Sequence, residues 1–174
     1  MIRVLAVLSL ALLVAACGNG ATPAKPSSST DASTSATKAE PTEPAGPPTL
    51  AELVKDPCAA VAKKDEPGLG VVTEGSPIPS DPETCSWLAP PGVVVFKAFP
   101  TSDETPGIAA KPGAMPFTVA GKPAVRITVG QSCFTYVTVT AGQSFRVGAS
   151  GEDSADPCGP TVAFAAAVVA NLGG

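Results

Sequence analysis

Three consecutive runs decide the fold: Pro123-Ala-Val-Arg-Ile-Thr-Val129, Ser132-Cys-Phe-Thr-Tyr-Val-Thr-Val-Thr140 and Gln143-Ser-Phe-Arg-Val-Gly-Ala149. Each alternates apolar and polar residues and is rich in β-branched and aromatic side chains, the pattern of a half-buried strand. Gly130-Gln131 and Ala141-Gly142 are the connections, of the length that joins antiparallel neighbours in a hairpin. Two-residue loops at both places pair Arg126 with Thr135 and Val137 with Arg146. Val125, Ile127, Val129, Phe134, Tyr136, Phe145 and Val147 then share one face, the one expected to be buried under the helices. Arg126, Thr128, Thr135, Ser144 and Arg146 take the other, with Val137 and Val139 as its apolar exceptions. A slip of one residue would mix the two sets, so this register is the expected one.

Working outward, Met115 to Val119 reads as a preceding strand, and Cys85-Ser-Trp-Leu and Val93 to Phe99 read as a hairpin turned by Ala-Pro-Pro-Gly. At the start of the domain, Thr49-Leu-Ala-Glu52 has capping-box spacing before the apolar residues Leu53 and Val54. Pro57 interrupts that helix, so a restart is expected at Asp56-Pro57-Cys58, running to about Lys64. The tripeptide recurs at Asp156-Pro157-Cys158, ahead of an apolar, alanine-rich helix from Val162 to Leu172. The expected fold is α+β: an antiparallel meander sheet with N- and C-terminal helices packed on one face.

The first fifty residues have another character. Val4 to Ala16 is apolar except for Ser9, follows a lone Arg3 and ends in Val14-Ala15-Ala16-Cys17, small residues before a cysteine. This is the length of a secretory signal and is similar to a bacterial lipobox. The likeness implies cleavage before Cys17 and a diacylglyceryl group on its sulfur, a palmitate-type anchor on a protein that does not span the membrane. Residues 1–16 are the expected signal peptide. Residues 17–49 are the lipidated cysteine and a Pro/Ser/Thr/Ala tether without one Val, Ile, Leu, Met or aromatic residue. Such a composition cannot offset the entropy of ordering the chain, and its r.m.s. reach is roughly 30 Å. The folded part is expected over residues 50–174.

With Cys17 set aside, four cysteines remain, an even number suited to disulfides outside the cytoplasm. Of the three possible pairings, Cys58 with Cys85 and Cys133 with Cys158 is favoured, because each joins a helix start to a strand. Loops of roughly 27 residues give a chain-entropy gain of about 3.5 kcal/mol each. No Cys-x-x-Cys occurs, which argues against a redox or zinc site.

The order of these features resembles the actinobacterial envelope lipoproteins of domain-of-unknown-function family 3558. A lipobox and tether are followed by Asp-Pro-Cys at Cys58, Cys-Ser-Trp at Cys85 and Trp87, Cys133 within the sheet, and a second Asp-Pro-Cys at Cys158. The resemblance covers residues 50–174 and implies the same disulfide pairing and an extracytoplasmic, lipid-anchored role at the outer face of the cytoplasmic membrane. It brings no catalytic residues.

The chain has no His, 11 basic and 15 acidic residues and a net charge of -4. Triads and metal sites that need imidazole are excluded, and so is electrostatic capture of nucleic acid. Neither a cofactor nor a metal is called for. Ser76, Ser86 and Ser144 lack a nucleophile-elbow setting, and Gly68-Leu69-Gly70 lacks the rest of a dinucleotide fingerprint. The acid pairs Asp65-Glu66, Asp103-Glu104 and Glu152-Asp153 read as solvated loops. Trp87 should pack over the disulfide. The candidate ligand site is Arg126 with Arg146, two guanidinium forks on one sheet face suited to an anionic head group, phosphate or carboxylate. The stretches Pro67–Pro82 and Pro100–Pro112 are long for simple connections. The expected function is a non-catalytic binding or accessory module that engages an envelope protein or a small amphiphile. The alternative is a lipid or glycolipid carrier with an apolar cavity between sheet and helices.

Overall fold

The computed structural model describes residues 46–90, 92–151 and 156–174. The signal segment, Cys17, nearly all of the tether and the acid pair Glu152-Asp153 lie outside the described residues.

Helix α1 (Leu50–Lys55) begins at the expected capping box: the Glu52 amide donates to Thr49 Oγ1, and the Thr49 amide donates to Glu52 Oε2 at 2.7 Å. The Thr49 amide bond holds the Glu52 carboxyl below its ordinary pKa. The chain does restart at Pro57, but as a four-residue 3₁₀ turn that ends at Ala60 rather than Lys64, without a side-chain cap from Asp56. A second 3₁₀ turn follows at Glu66–Leu69.

Strands β1 (Thr73–Ile78), β2 (Asp81–Ala89) and β3 (Gly92–Phe99) form one antiparallel meander. β4 (Met115–Val119), β5 (Lys122–Val129), β6 (Ser132–Thr140) and β7 (Gln143–Gly151) form another. Pairing of β3 with β7 joins them into one seven-stranded antiparallel sheet, ordered β1-β2-β3-β7-β6-β5-β4. The turns at Ala120-Gly121, Gly130-Gln131 and Ala141-Gly142 are two residues long. At Ala120 and Gly121 φ is 47° and 78°, the doubly left-handed turn that matches the twist of the strands it joins.

One helix, α3 (Cys158–Asn171), crosses the inner face of the sheet with α1 and the first 3₁₀ turn. It starts four residues earlier than the sequence suggests: Asp156 Oδ1 accepts from the Cys158 amide at 2.9 Å, and Pro160 falls in the first turn, where its missing N–H costs nothing. The disulfides are Cys58–Cys85 and Cys133–Cys158, as expected. The core between the layers is filled by Trp87, Phe96, Phe145, Phe164, Val168 and their neighbours. Trp87 and Phe164 ring centroids are 5.7 Å apart.

The register corrects the sequence reading. Arg126 pairs with Thr135 as expected, and Thr140 pairs with Gln143, but an irregularity between Thr138 and Thr140 slips the rest of β6 against β7 by one residue. Val137 therefore faces Phe145, and Arg146 faces Tyr136. Directly opposed residues share a face. The inner face thus carries Ala124, Thr135, Val137, Phe145 and Val147, all buried. Ile127, Val129, Phe134 and Tyr136, expected inside, lie on the outer face.

A third layer was not anticipated. The segment after β3 folds back over one end of the outer face and includes the single-turn helix α2 (Thr105–Ala109). Ser144 Oγ donates to Ser102 O and accepts from the Glu104 amide, and Thr138 Oγ1 donates to Asp103 Oδ2 at 2.9 Å. Val125 and Ile108 are buried but separate from the main core, and α2 packs on β5 and β6. This strap accounts for the long Pro100–Pro112 stretch, and β1 accounts for Pro67–Pro82.

Candidate functional site

The slip in β6 and β7 separates the two arginines. Arg126 stands on the inner-face side with Thr135 and Met115 as cross-strand neighbours; its guanidinium lies 5.9 Å from the Phe117 ring centroid and Nη2 is 4.0 Å from Met115 Sδ. Arg146 is on the outer face between Lys97 and Tyr136, with its guanidinium 5.5 Å from the Phe134 ring centroid. Facing opposite sides of a sheet, the two cannot grip one ligand, and the expected two-fork clamp is corrected to two separate arginines. Neither makes an ion pair among the described residues, and the Nε of each is buried without a hydrogen-bond partner.

Trp87 is 1% exposed and is a core residue. Gly75 of β1 runs directly across its indole and Cys85 Sγ, so close that a Cβ there would lie 2.4 Å from Trp87 Nε1. The indole N–H donates to Glu66 Oε1 at 3.0 Å. Beside this contact lies an open cleft of about 590 Å³, lined by Asp56, Lys63, Glu66, Glu74, Gly75 and Asn171 among others. Although three carboxylates line it, Lys63 forms an ion pair with Glu74 and holds that carboxyl below its ordinary pKa. Catalysis as a general acid needs the opposite shift.

The remaining candidates have structural partners. Ser86 Oγ donates to Ser76 O, Ser144 holds the strap, and Gly68-Leu69-Gly70 closes a 3₁₀ turn in which Gly70 has φ 73°. Asp103 is engaged by Thr138 and the Thr105 amide rather than solvated. Among the described residues no group of three or more Cys, Asp or Glu side chains is placed to hold a metal ion. No helix among them is long and apolar enough to cross a membrane.

What sequence reasoning missed is the outer face itself. Where the strap ends, Lys97 and Arg146 form a polar row, with Lys97 paired to Asp81 at 2.8 Å and to Glu83 at 3.8 Å. The Lys97 and Thr84 hydrogen bonds hold the Asp81 carboxyl below its ordinary pKa. The next cross-strand row is Ser86, Val95, Gly148, Phe134 and Ile127, and the last is Leu88, Val93, Ser150, Ser132 and Val129. Thr73 of β1, directly opposite Leu88, extends that last row. Val72 (64% exposed), Leu88 (47%), Val93 (42%) and Val129 (61%) are four of the five large exposed hydrophobic residues among those described. Between the two rows is an open depression of about 190 Å³ bounded by Val93, Val95, Phe134, Ser132 and Ser150. The depression exists because β7 carries small residues here. At Gly148 a Cβ would lie 2.9 Å from the Phe134 ring and 3.1 Å from Val95 Cγ2.

Residues 12–171 match the family described as "Protein of unknown function (DUF3558)". No curated protein and no solved structure matches the chain. The match spans nearly the whole sequence, and the chain belongs to the DUF3558 family.

Proposed function

We propose that this DUF3558 member is an envelope lipoprotein of actinobacterial type, held to the outer face of the cytoplasmic membrane by a lipid on Cys17. Its stapled domain is then a non-catalytic binding or accessory module. The anchor reading is supported by the run from Val4 to Ala16 ahead of Cys17 and by a family match that begins at residue 12, so that Cys17 falls within it. Two disulfides fit an oxidising compartment.

The observation that carries the binding reading is the outer face: the exposed side chains of Leu88, Val93 and Val129 share one end of it, beside a depression that Val93 borders, while the opposite end is covered by the strap. A monomer gains nothing from grouping them there, and a contiguous apolar patch is the ordinary mark of a docking surface. The carrier alternative needs an apolar cavity between sheet and helices, and that space is occupied by Trp87, Phe96, Phe145 and Phe164. The cleft of about 590 Å³ lies instead beside α1 and β1 and is lined by charged groups.

The test is native mass spectrometry of the full chain purified from its own envelope. A lipidated chain beginning at Cys17, lighter by four hydrogens than its reduced form and free of other lipid, is the expected result. A reproducible non-covalent lipid passenger would replace the adaptor with the carrier. Cys17→Ala should release the protein from the membrane fraction, and retention there would remove the anchor.

A further inference from the structure

Resting on that reading of the outer face, we propose that the partner is a protein that seats one large apolar side chain in the depression over Ser132 and Ser150 and sets a carboxylate against Arg146. The size of the depression argues for a side chain. At about 190 Å³ and open to solvent, it is smaller than the ~300–1,000 Å³ of sites that enclose a small molecule. The row Leu88, Val93, Ser150, Ser132, Val129 crosses five adjacent strands, roughly 19 Å at ~4.8 Å per strand. Its middle is formed by two serines, so it offers no continuous apolar track for an alkyl chain and suits the flat core of a protein interface with a central anchor.

Charge selects the acid. Of the two cations beside the patch, Lys97 is in direct contact with Asp81 and Glu83, whereas Arg146, although in the field of Asp81, touches no carboxylate among the described residues. Its guanidinium is held over the Phe134 ring, and Phe134 is also a wall of the depression. A fork fixed by stacking beside an apolar pocket is a ready acceptor for a carboxylate. Arg146, Gly148 and Ser150 follow one another on the same face of β7, about 7 Å apart, so the acid belongs roughly 7–13 Å from the anchor. One unpaired arginine matches one carboxylate. An anionic bilayer is drawn by several basic residues together, and this chain has a net charge of -4. At the other end of the sheet Pro47 is next to Gly173, and Gly174 is close to Lys122, at the start of the strand that ends in Val129.

The experiment uses the full chain in its own envelope, with a benzophenone amino acid in place of Val93 or, as a control, Lys64 on the helix side. Irradiation should join the Val93 position to one discrete protein and leave Lys64 without that adduct. Arg146→Glu should lower the yield at least tenfold and Arg146→Lys less than threefold, with unchanged Trp87 fluorescence reporting that both variants fold. Exchanging an Asp or Glu near the cross-linked site of the partner for Lys should restore the yield with Arg146→Glu. A protein adduct indifferent to Arg146→Glu would overturn the charge-paired partner while leaving the docking face in place. Adducts to lipid alone, or no adduct at Val93, would overturn both.

Discussion

Replacing Gly75 by alanine should destabilise the domain by about 2–4 kcal/mol. The new Cβ would lie 2.4 Å from Trp87 Nε1, 2.7 Å from its Cε2 and 2.9 Å from Cys85 Sγ, so something must move by about 1 Å to reach ordinary contact. None of the neighbours is free. The indole packs on Phe164 and donates to Glu66, and the sulfur is tied to Cys58. Overpacking of this kind costs about 1–3 kcal/mol, and stretching a hydrogen bond to a charged carboxylate removes about 1.5–3 kcal/mol. Both losses come from one displacement, so they overlap rather than add. The expected fall in Tm is on the order of 10 °C. Trp87 is the sole tryptophan, so its emission in a guanidinium titration reports both the stability and the local rearrangement. Gly68→Ala, with open space around the site, is the control and should stay within about 0.5 kcal/mol. If Gly75→Ala unfolds at the wild-type midpoint with unaltered emission, the close packing of β1 on the indole is refuted.

Three further outcomes are expected. Converting Cys133 and Cys158 together to alanine should cost about 2–4 kcal/mol by guanidinium unfolding, since the bridge closes a sequence separation of 25 residues; a loss under 1 kcal/mol would contradict this. Ser144→Ala removes the hydroxyl that both accepts from Glu104 and donates to Ser102, so amides around residues 102–110 should exchange faster in hydrogen exchange while those of β7 stay protected. Asp81, whose pKa is lowered in the folded state by Lys97 and Thr84, contributes stability above its unfolded pKa of about 4, and that contribution is lost as pH falls through the lower folded value. Asp81→Asn should therefore flatten the acid limb of the stability–pH curve below about pH 4 and leave the slope near pH 7 unchanged.

Features written in adjacent residues were legible. Thr49 and Glu52 state their capping box in four letters, Gly121, Gly130 and Gly142 mark turns that need a left-handed residue, and the Asp-Pro-Cys repeats place both disulfides. The failures have non-local causes. Thr-Glu-Gly-Ser-Pro-Ile does not alternate, because Gly75 is set by the indole beneath it and Pro77 is tolerated on an edge strand, so β1 was invisible. The apolar run from Val162 marks only the packed part of the last helix; its start at Cys158 lies in Gly159-Pro160, where the sequence carries no apolar period although proline is favoured in a first turn. The irregularity near Val139 carries no residue signature. Parity alone then assigned Phe134 and Ile127 to the core, because a strand pattern shows which residues share a face but not which face the helices cover. The same error hid the candidate site. The apolar side chains of β5 and β6 that looked like core form part of the outer face, and Arg146 joins them there instead of joining Arg126.

The central claim, that this outer face is covered by a partner in the envelope, is tested most directly by carbene footprinting of the protein in intact cells and after extraction. Labelling at Leu88, Val93 and Val129 should be low in the envelope and rise severalfold on extraction, with Lys64 and Gly68 on the helix side labelled equally in both. Equal labelling of Leu88, Val93 and Val129 in the two states would mean that the face stands open in the cell, and the docking account would be wrong.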